Sequence, residues 1–248
     1  RSHYLWPAAY LFLFGSFYLT DYKKEEEQAL FEGLLDGILF AFCVFQGFCF
    51  VFRPFDQADC RYVGIYNNSN QNAIFYLETL AAVFTKLLLF DQREQKDASC
   101  KKNRRFQIGK LTGWLGSGIV ISFIVLTIGR TAWLLTVLMS ASFLFFLSSR
   151  KKTETGKKLQ FFSEFLKKGL ALVCAFVIAF PVTFCAVRYL PHLFHHSIWF
   201  WGEWSDEKVH SFDPWDSEKY VELDEFLDAA IHYDPSLHPT GDHSLEGY

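Results

Sequence analysis

Six stretches of this chain are apolar enough, and nearly long enough, to cross a lipid bilayer as helices. They cover residues 4–20, 33–52, 72–90, 111–129, 131–148 and 169–190. A spanning helix needs about 20 mostly apolar residues to cross about 30 Å of hydrocarbon, so five or six spans are predicted because two of the runs are short. The sequence therefore indicates an all-helical, polytopic integral membrane protein whose helical bundle occupies residues 1–190.

The basic residues between these runs predict the orientation of the chain. The connections 91–110 and 149–168 each carry seven Lys or Arg residues. Short loops rich in these residues stay on the cytoplasmic side of a membrane, or on the matrix side in an organelle. Both connections are therefore expected on one side. The segment 53–71 and the tail 191–248 are then expected on the opposite, outer side.

The tail is acidic and aromatic. From Glu203 onward, 13 acidic residues stand against two lysines, whereas the rest of the chain carries a net charge of +8. The spacing of apolar residues predicts one amphipathic helix over 217–232. A single stripe on a lone helix cannot form a core, so this helix is expected on the membrane surface, on the protein's own loops or on another subunit. The residues predicted to dock on a partner are Leu223, Phe226, Leu227 and Ile231.

Ionisable residues inside spanning segments are the default place to look for transport. Asp36, Glu78 and Lys86 lie within apolar runs, and Arg130 lies at the expected tip of the hairpin formed by 111–148. Glu78 and Lys86 are eight residues apart, so they share a helical face at a separation of about 12 Å. They cannot pair directly, but both can face a neighbouring helix. A small ion or solute transporter or channel that uses these four residues is the alternative interpretation.

A cluster of histidines gives a third interpretation. The sequence His192-Leu193-Phe194-His195-His196 resembles the His-x-x-His-His box of membrane fatty-acid desaturases and hydroxylases, and the resemblance implies a di-iron membrane enzyme. That family uses several such boxes, and the chain has no second one. A simpler metal site at His192, His195 and His196 would make the chain a membrane metalloenzyme. The preferred interpretation is an aromatic belt at headgroup depth, formed with neighbouring tryptophans.

Two residues on the expected outer side bear on the compartment. Asn67 begins an Asn-Asn-Ser glycosylation sequon, which matters only in the secretory pathway. Cys60 is the single cysteine expected on that side, so no outer disulfide can form within the chain. Ectodomains of secreted type usually contain a disulfide. The sequence therefore slightly favours the mitochondrial inner membrane over the endoplasmic reticulum or the plasma membrane.

Many packing surfaces and few convergent polar groups predict a non-catalytic accessory subunit of a larger membrane complex, such as an energy-transducing organellar complex. Its expected partners are other membrane subunits and bound lipids, with no nucleic acid, catalytic residue or cofactor. Small residues at Gly109, Gly113 and Gly116-Ser117-Gly118, and again at Gly33 and Gly37, predict close contacts between helices.

Overall fold

The computed structural model describes residues 23–52, 60–64, 66, 69–96, 104–149, 157–194, 221 and 223–232. Its helices are α1 (Lys24–Phe52), α2 (Ser69–Lys96), α3 (Arg104–Leu126), α4 (Arg130–Ser149), α5 (Lys157–Phe194) and α6 (Leu223–His232). Five of them, α1 to α5, are long and apolar enough to cross a membrane. The prediction of an all-helical polytopic membrane protein is confirmed. The predicted span 4–20 lies outside the described residues.

The chain divides into two compact units, residues 1–37 and residues 38–248, and the boundary falls within α1. At the start of α1, the backbone N–H of Lys23 donates to Oε2 of Glu26 at 3.1 Å. This bond satisfies a donor at the helix start in the manner of a capping box. The core described below belongs to the second unit.

Helices α2, α3, α5 and α4 form a ring in which each helix contacts the next. At one end of this ring, Nζ of Lys110 and Oε2 of Glu94 form an ion pair at 2.5 Å. Nζ of Lys168 donates to the carbonyl of Leu147 at 2.8 Å at the same end, which we name the basic end. The opposite end carries residues 60–64 and the α3–α4 turn 127–129, and we name it the turn end.

Several helices continue well beyond the apolar runs. Helix α2 continues past residue 90 to Lys96, and α5 begins at Lys157 rather than near residue 169. These extensions are rich in Lys, Glu and Gln, which are good helix formers. The helices therefore continue beyond the apolar runs. Some of the basic residues that were predicted for loops lie on these helical extensions.

Glycines allow α3 to approach its neighbours closely. A Cβ atom added at Gly118 would overlap the backbone of Ala175 in α5, and one added at Gly113 would press on the side chain of Leu87 in α2. At Gly33 and Gly37, by contrast, no atom of the described residues lies within 4 Å of such a Cβ. Gly113 and Gly118 of α3 therefore lie at close contacts, whereas Gly116 of the same helix and the two glycines of the first unit have no described atom within 4 Å of an added Cβ.

Aromatic rings fill the core between the helices. The ring of Phe123 in α3 lies 5.8 Å from that of Phe42 in α1 and 5.3 Å from that of Tyr76 in α2. Nearer the basic end, Phe84 and Phe143 stack with their centroids 4.2 Å apart. Aromatic rings thus contribute to the packing between α1, α2, α3 and α4.

Candidate functional site

A connected cluster of buried polar side chains lies near the turn end. It comprises Gln46 of α1, Tyr62 of the segment 60–64, and Asn72 and Tyr76 of α2, and we name it the turn-end network. All four side chains are buried. Nε2 of Gln46 donates to the hydroxyl of Tyr62 at 3.1 Å, and the hydroxyl of Tyr76 donates to Oε1 of Gln46 at 2.8 Å. Nδ2 of Asn72 donates to the hydroxyl of Tyr76 at 2.8 Å.

The end of α3 holds the segment that carries Tyr62. The backbone N–H of Tyr62 donates to the carbonyl of Leu126 at 2.9 Å, and Nε of Arg61 donates to the carbonyl of Thr127 at 3.3 Å. The last carbonyls of a helix have no partner within the helix, so they are ready acceptors for a passing segment. Gly64, at a φ of +62°, lies so close to the Asn72 side chain that a Cβ would overlap it. Glycine is therefore required where the segment turns towards α2.

The turn between α3 and α4 is closed by its own hydrogen bonds. Oγ1 of Thr127 donates to the carbonyl of Ile124 at 2.7 Å, and Nε1 of Trp133 donates to the same carbonyl at 3.3 Å. Ile128 adopts a φ of +53°, which is rare for a β-branched residue, and its side chain is buried. The surrounding contacts hold this strained conformation in place, so the turn is a rigid support for Tyr62 and Arg61.

The turn-end network is made of amides and phenols and carries no charge. Burial raises the pKa of the Tyr62 phenol well above its ordinary value of 10.0, so its hydroxyl stays protonated at physiological pH. Two helices and one connecting segment are joined by donors and acceptors that satisfy one another. Such an arrangement is suited to holding helices together and offers no charged group to an ion path.

This pKa shift predicts a loss of stability in alkali. The unfolded chain releases the Tyr62 proton near pH 10, whereas the folded chain does not, so the contribution of Tyr62 is complete below pH 10 and is lost as the pH rises further. We expect the free energy of unfolding to fall more steeply above pH 10 in the native chain than in the variant Tyr62→Phe. Denaturant unfolding in detergent between pH 8 and about pH 11 measures both slopes. Equal slopes would contradict the prediction.

In the second unit, the residues considered for transport do not lie close together. Glu78 is exposed on α2, and Lys86 is half-buried two turns further along the same helix. Arg130 is exposed where α4 begins, and the neighbouring Gly129 lies beside Ala73 of α2. Lys86 is 13 residues beyond Ala73, so it lies about 20 Å along the helix from the level of Arg130. Asp36 belongs to the other unit, where its side chain is exposed.

Several other predicted site residues cannot be located. Asn67, His195 and His196 lie outside the described residues, and so does the side chain of His192 at the end of α5. Within the part of the chain that the structure describes, no group of three or more His, Cys, Asp or Glu residues could hold a metal ion. The metal and glycosylation hypotheses therefore stay predictions.

The tail residues that were predicted to dock on a partner differ in burial. The described helix α6 begins at Leu223, and Val221 before it is not helical. The ring of Phe226 is buried against Phe180 and Phe184 of α5, with centroids 6.2 and 5.9 Å away. Phe226 therefore packs within its own chain instead of facing a partner. Leu223, Leu227 and Ile231 remain exposed.

Comparisons with protein-family models, with curated proteins and with solved structures found no match to this chain. The sequence reasoning did not single out the four residues of the turn-end network. A signal was present, because Gln46 and Asn72 are amides within or at the edge of apolar runs, where unsatisfied polar groups are costly.

Proposed function

We propose that this chain is a non-catalytic integral membrane subunit of a larger membrane protein complex. The observation that carries the proposal is the outward face of α1 within the second unit. Phe40 and Val44 are 71% and 50% exposed, and no described atom lies within 4 Å of a Cβ added at Gly47. Large apolar side chains beside a bare glycine leave a groove, and transmembrane helices pack closely at such small residues.

The opposite face of α1 supports the same proposal. Phe42 and Gln46 are buried on that face, where Phe42 packs on rings of α2 and α3. One side of α1 therefore packs against its own chain, and the other side presents protruding apolar side chains beside a glycine to the surroundings. The neutral turn-end network adds to this support, because it joins helices without forming a charged path.

The proposal includes an orientation and a membrane. Lys110 and Lys168 lie at the same end of the helices, in agreement with the distribution of basic residues along the sequence. We propose that the basic end faces the matrix or cytoplasm and that the tail with α6 faces the opposite compartment. The absence of a second outer cysteine in the sequence favours the mitochondrial inner membrane.

Photocrosslinking in native membranes tests the proposal. A benzophenone amino acid in place of Phe40 is expected to capture a protein subunit on illumination, because a partner helix covers that face. The matched control is the same substitution at Val137, which is 64% exposed on α4. We expect capture of a protein at Phe40 and mainly lipid adducts at Val137.

Two results would contradict the proposed function. One is lipid adducts alone at Phe40, together with a stable monomer after solubilisation in mild detergent. The other is ion or solute flux in vesicles that contain only the purified chain, provided that Glu78→Gln abolishes it. That second result would favour the transporter interpretation instead.

A further inference from the structure

Helix α6 has three distinct faces. Phe226 is buried, and Ala229 and Ala230 are partly buried against the core. A second face carries the acidic residues Asp224, Glu225 and Asp228. Between them lies a purely aliphatic flank formed by Leu223, Leu227 and Ile231, which are 43%, 43% and 68% exposed. We name these three residues the aliphatic flank.

The depth of α6 follows from its contacts with α5. Lys168 and Arg188 are the charged residues that bracket the apolar part of α5, and 20 residues of helix correspond to about 30 Å, the thickness of the hydrocarbon. Phe184 then lies about 6 Å, and Phe180 about 12 Å, inside the level of Arg188. Because Phe226 packs on both rings, α6 lies at the boundary between headgroups and acyl chains. Amphipathic helices bury their apolar faces about 5–10 Å into this boundary.

The apolar face of α5 that carries Phe180 and Phe184 continues beyond its contact with α6. At helical spacing from Phe180 and Phe184, the next residues towards the middle of the span are Val177 and Val173, and both are exposed. Exposed valines in the middle of a spanning helix are accessible to acyl chains. The contact of α6 with α5 therefore adjoins an exposed apolar surface of the span.

We propose that α6 is an interfacial helix whose aliphatic flank inserts among the lipid acyl chains beside α5. The flank consists of Leu and Ile, and it lacks the Trp, Tyr or Arg anchors that dominate protein interfaces. The acidic face lies away from the hydrocarbon and disfavours anionic headgroups, so zwitterionic phospholipid is the expected partner. This inference is independent of the proposed function, because a subunit and a transporter could both contain such a helix.

Site-specific fluorescence quenching tests the inference in the full chain. The native cysteines are replaced, the variants Leu227→Cys and Glu225→Cys are labelled with bimane, and both are reconstituted into phosphatidylcholine vesicles. Position 225 is the matched control, since it lies across the helix from position 227 at a spacing of 100° per residue. We expect the ratio of quenching by doxyl-labelled lipid to quenching by iodide to be several-fold higher at position 227.

The contact with α5 gives a second measurement. The additional substitution Phe226→Ala is expected to lower the lipid quenching at position 227, because the ring that holds α6 at its depth is removed. Strong iodide quenching at position 227 without lipid quenching would overturn the inference, since it would place the flank in water. Protection from both quenchers would also overturn it, because protein would then cover the flank.

Discussion

The variant Gly118→Ala is expected to be strongly destabilising for a change of a single methyl group. The added Cβ would overlap the backbone of Ala175, and a backbone cannot rotate away as a side chain can. Helices α3 and α5 must then separate along their contact, which loses dispersion contacts on both surfaces. Overpacking of a tight contact costs typically about 1–3 kcal/mol, and a backbone clash belongs at the upper end of that range. Reversible unfolding in mixed micelles, followed by circular dichroism, measures the loss.

The chain supplies a matched control two residues away. Gly116 lies on the same helix, and no described atom lies within 4 Å of a Cβ added there. Alanine is the better helix former by about 0.8–1 kcal/mol, so Gly116→Ala is expected to be neutral or slightly stabilising. If both variants lost the same stability, the cause would be a general property of glycine in α3, and the close approach to Ala175 would not be the explanation.

The variant Gln46→Leu is expected to have the second largest effect. Its side-chain amide forms hydrogen bonds with both the Tyr62 and the Tyr76 hydroxyls, so leucine removes one hydrogen bond from each of two buried phenols. An unsatisfied buried polar group costs about 1–3 kcal/mol, although Asn72 continues to serve Tyr76. We expect a loss of about 2–3 kcal/mol in the free energy of unfolding, measured under the same conditions as for the glycine variants.

A multiple-mutant cycle separates this cause from the change in shape. In the background Tyr62→Phe with Tyr76→Phe, the hydroxyls are absent, and Gln46→Leu no longer removes hydrogen bonds from them. The same substitution should then cost at least about 1 kcal/mol less than in the native chain. An equal cost in both backgrounds would show that packing around Gln46, and not its hydrogen bonds, determines the effect.

The membrane-spanning architecture was predictable because it depends on apolar length alone. Every described span overlaps one of the apolar runs, and α4 (Arg130–Ser149) matches its run within a residue at each end. The ends of α2 and α5 were not predictable in the same way. Hydropathy marks where the hydrocarbon stops, while the helix continues through Lys-rich and Gln-rich sequence until its local propensity or a turn ends it.

The candidate site was harder to predict, because its residues come from distant parts of the sequence. Gln46 and Tyr76 are 30 residues apart, and Arg61 bonds a carbonyl 66 residues away. Polar residues at the edge of a span indicate that a partner exists but not which one it is. In the tail, helical spacing correctly grouped Phe226 with Leu223 and Leu227 on one apolar arc. Spacing could not show that α5 covers only one side of that arc.

The hydrogen bonds from Arg61 and Tyr62 to the end of α3 have a consequence for biosynthesis. The ribosome makes residues 61 and 62 long before it makes the carbonyl groups of residues 126 and 127 that receive them. During that interval the segment 60–64 lacks the hydrogen bonds that hold it at the turn end. A chain that ends before residue 126 should therefore leave Tyr62 open to proteolysis at the turn end, and extension through the α3–α4 hairpin should protect it.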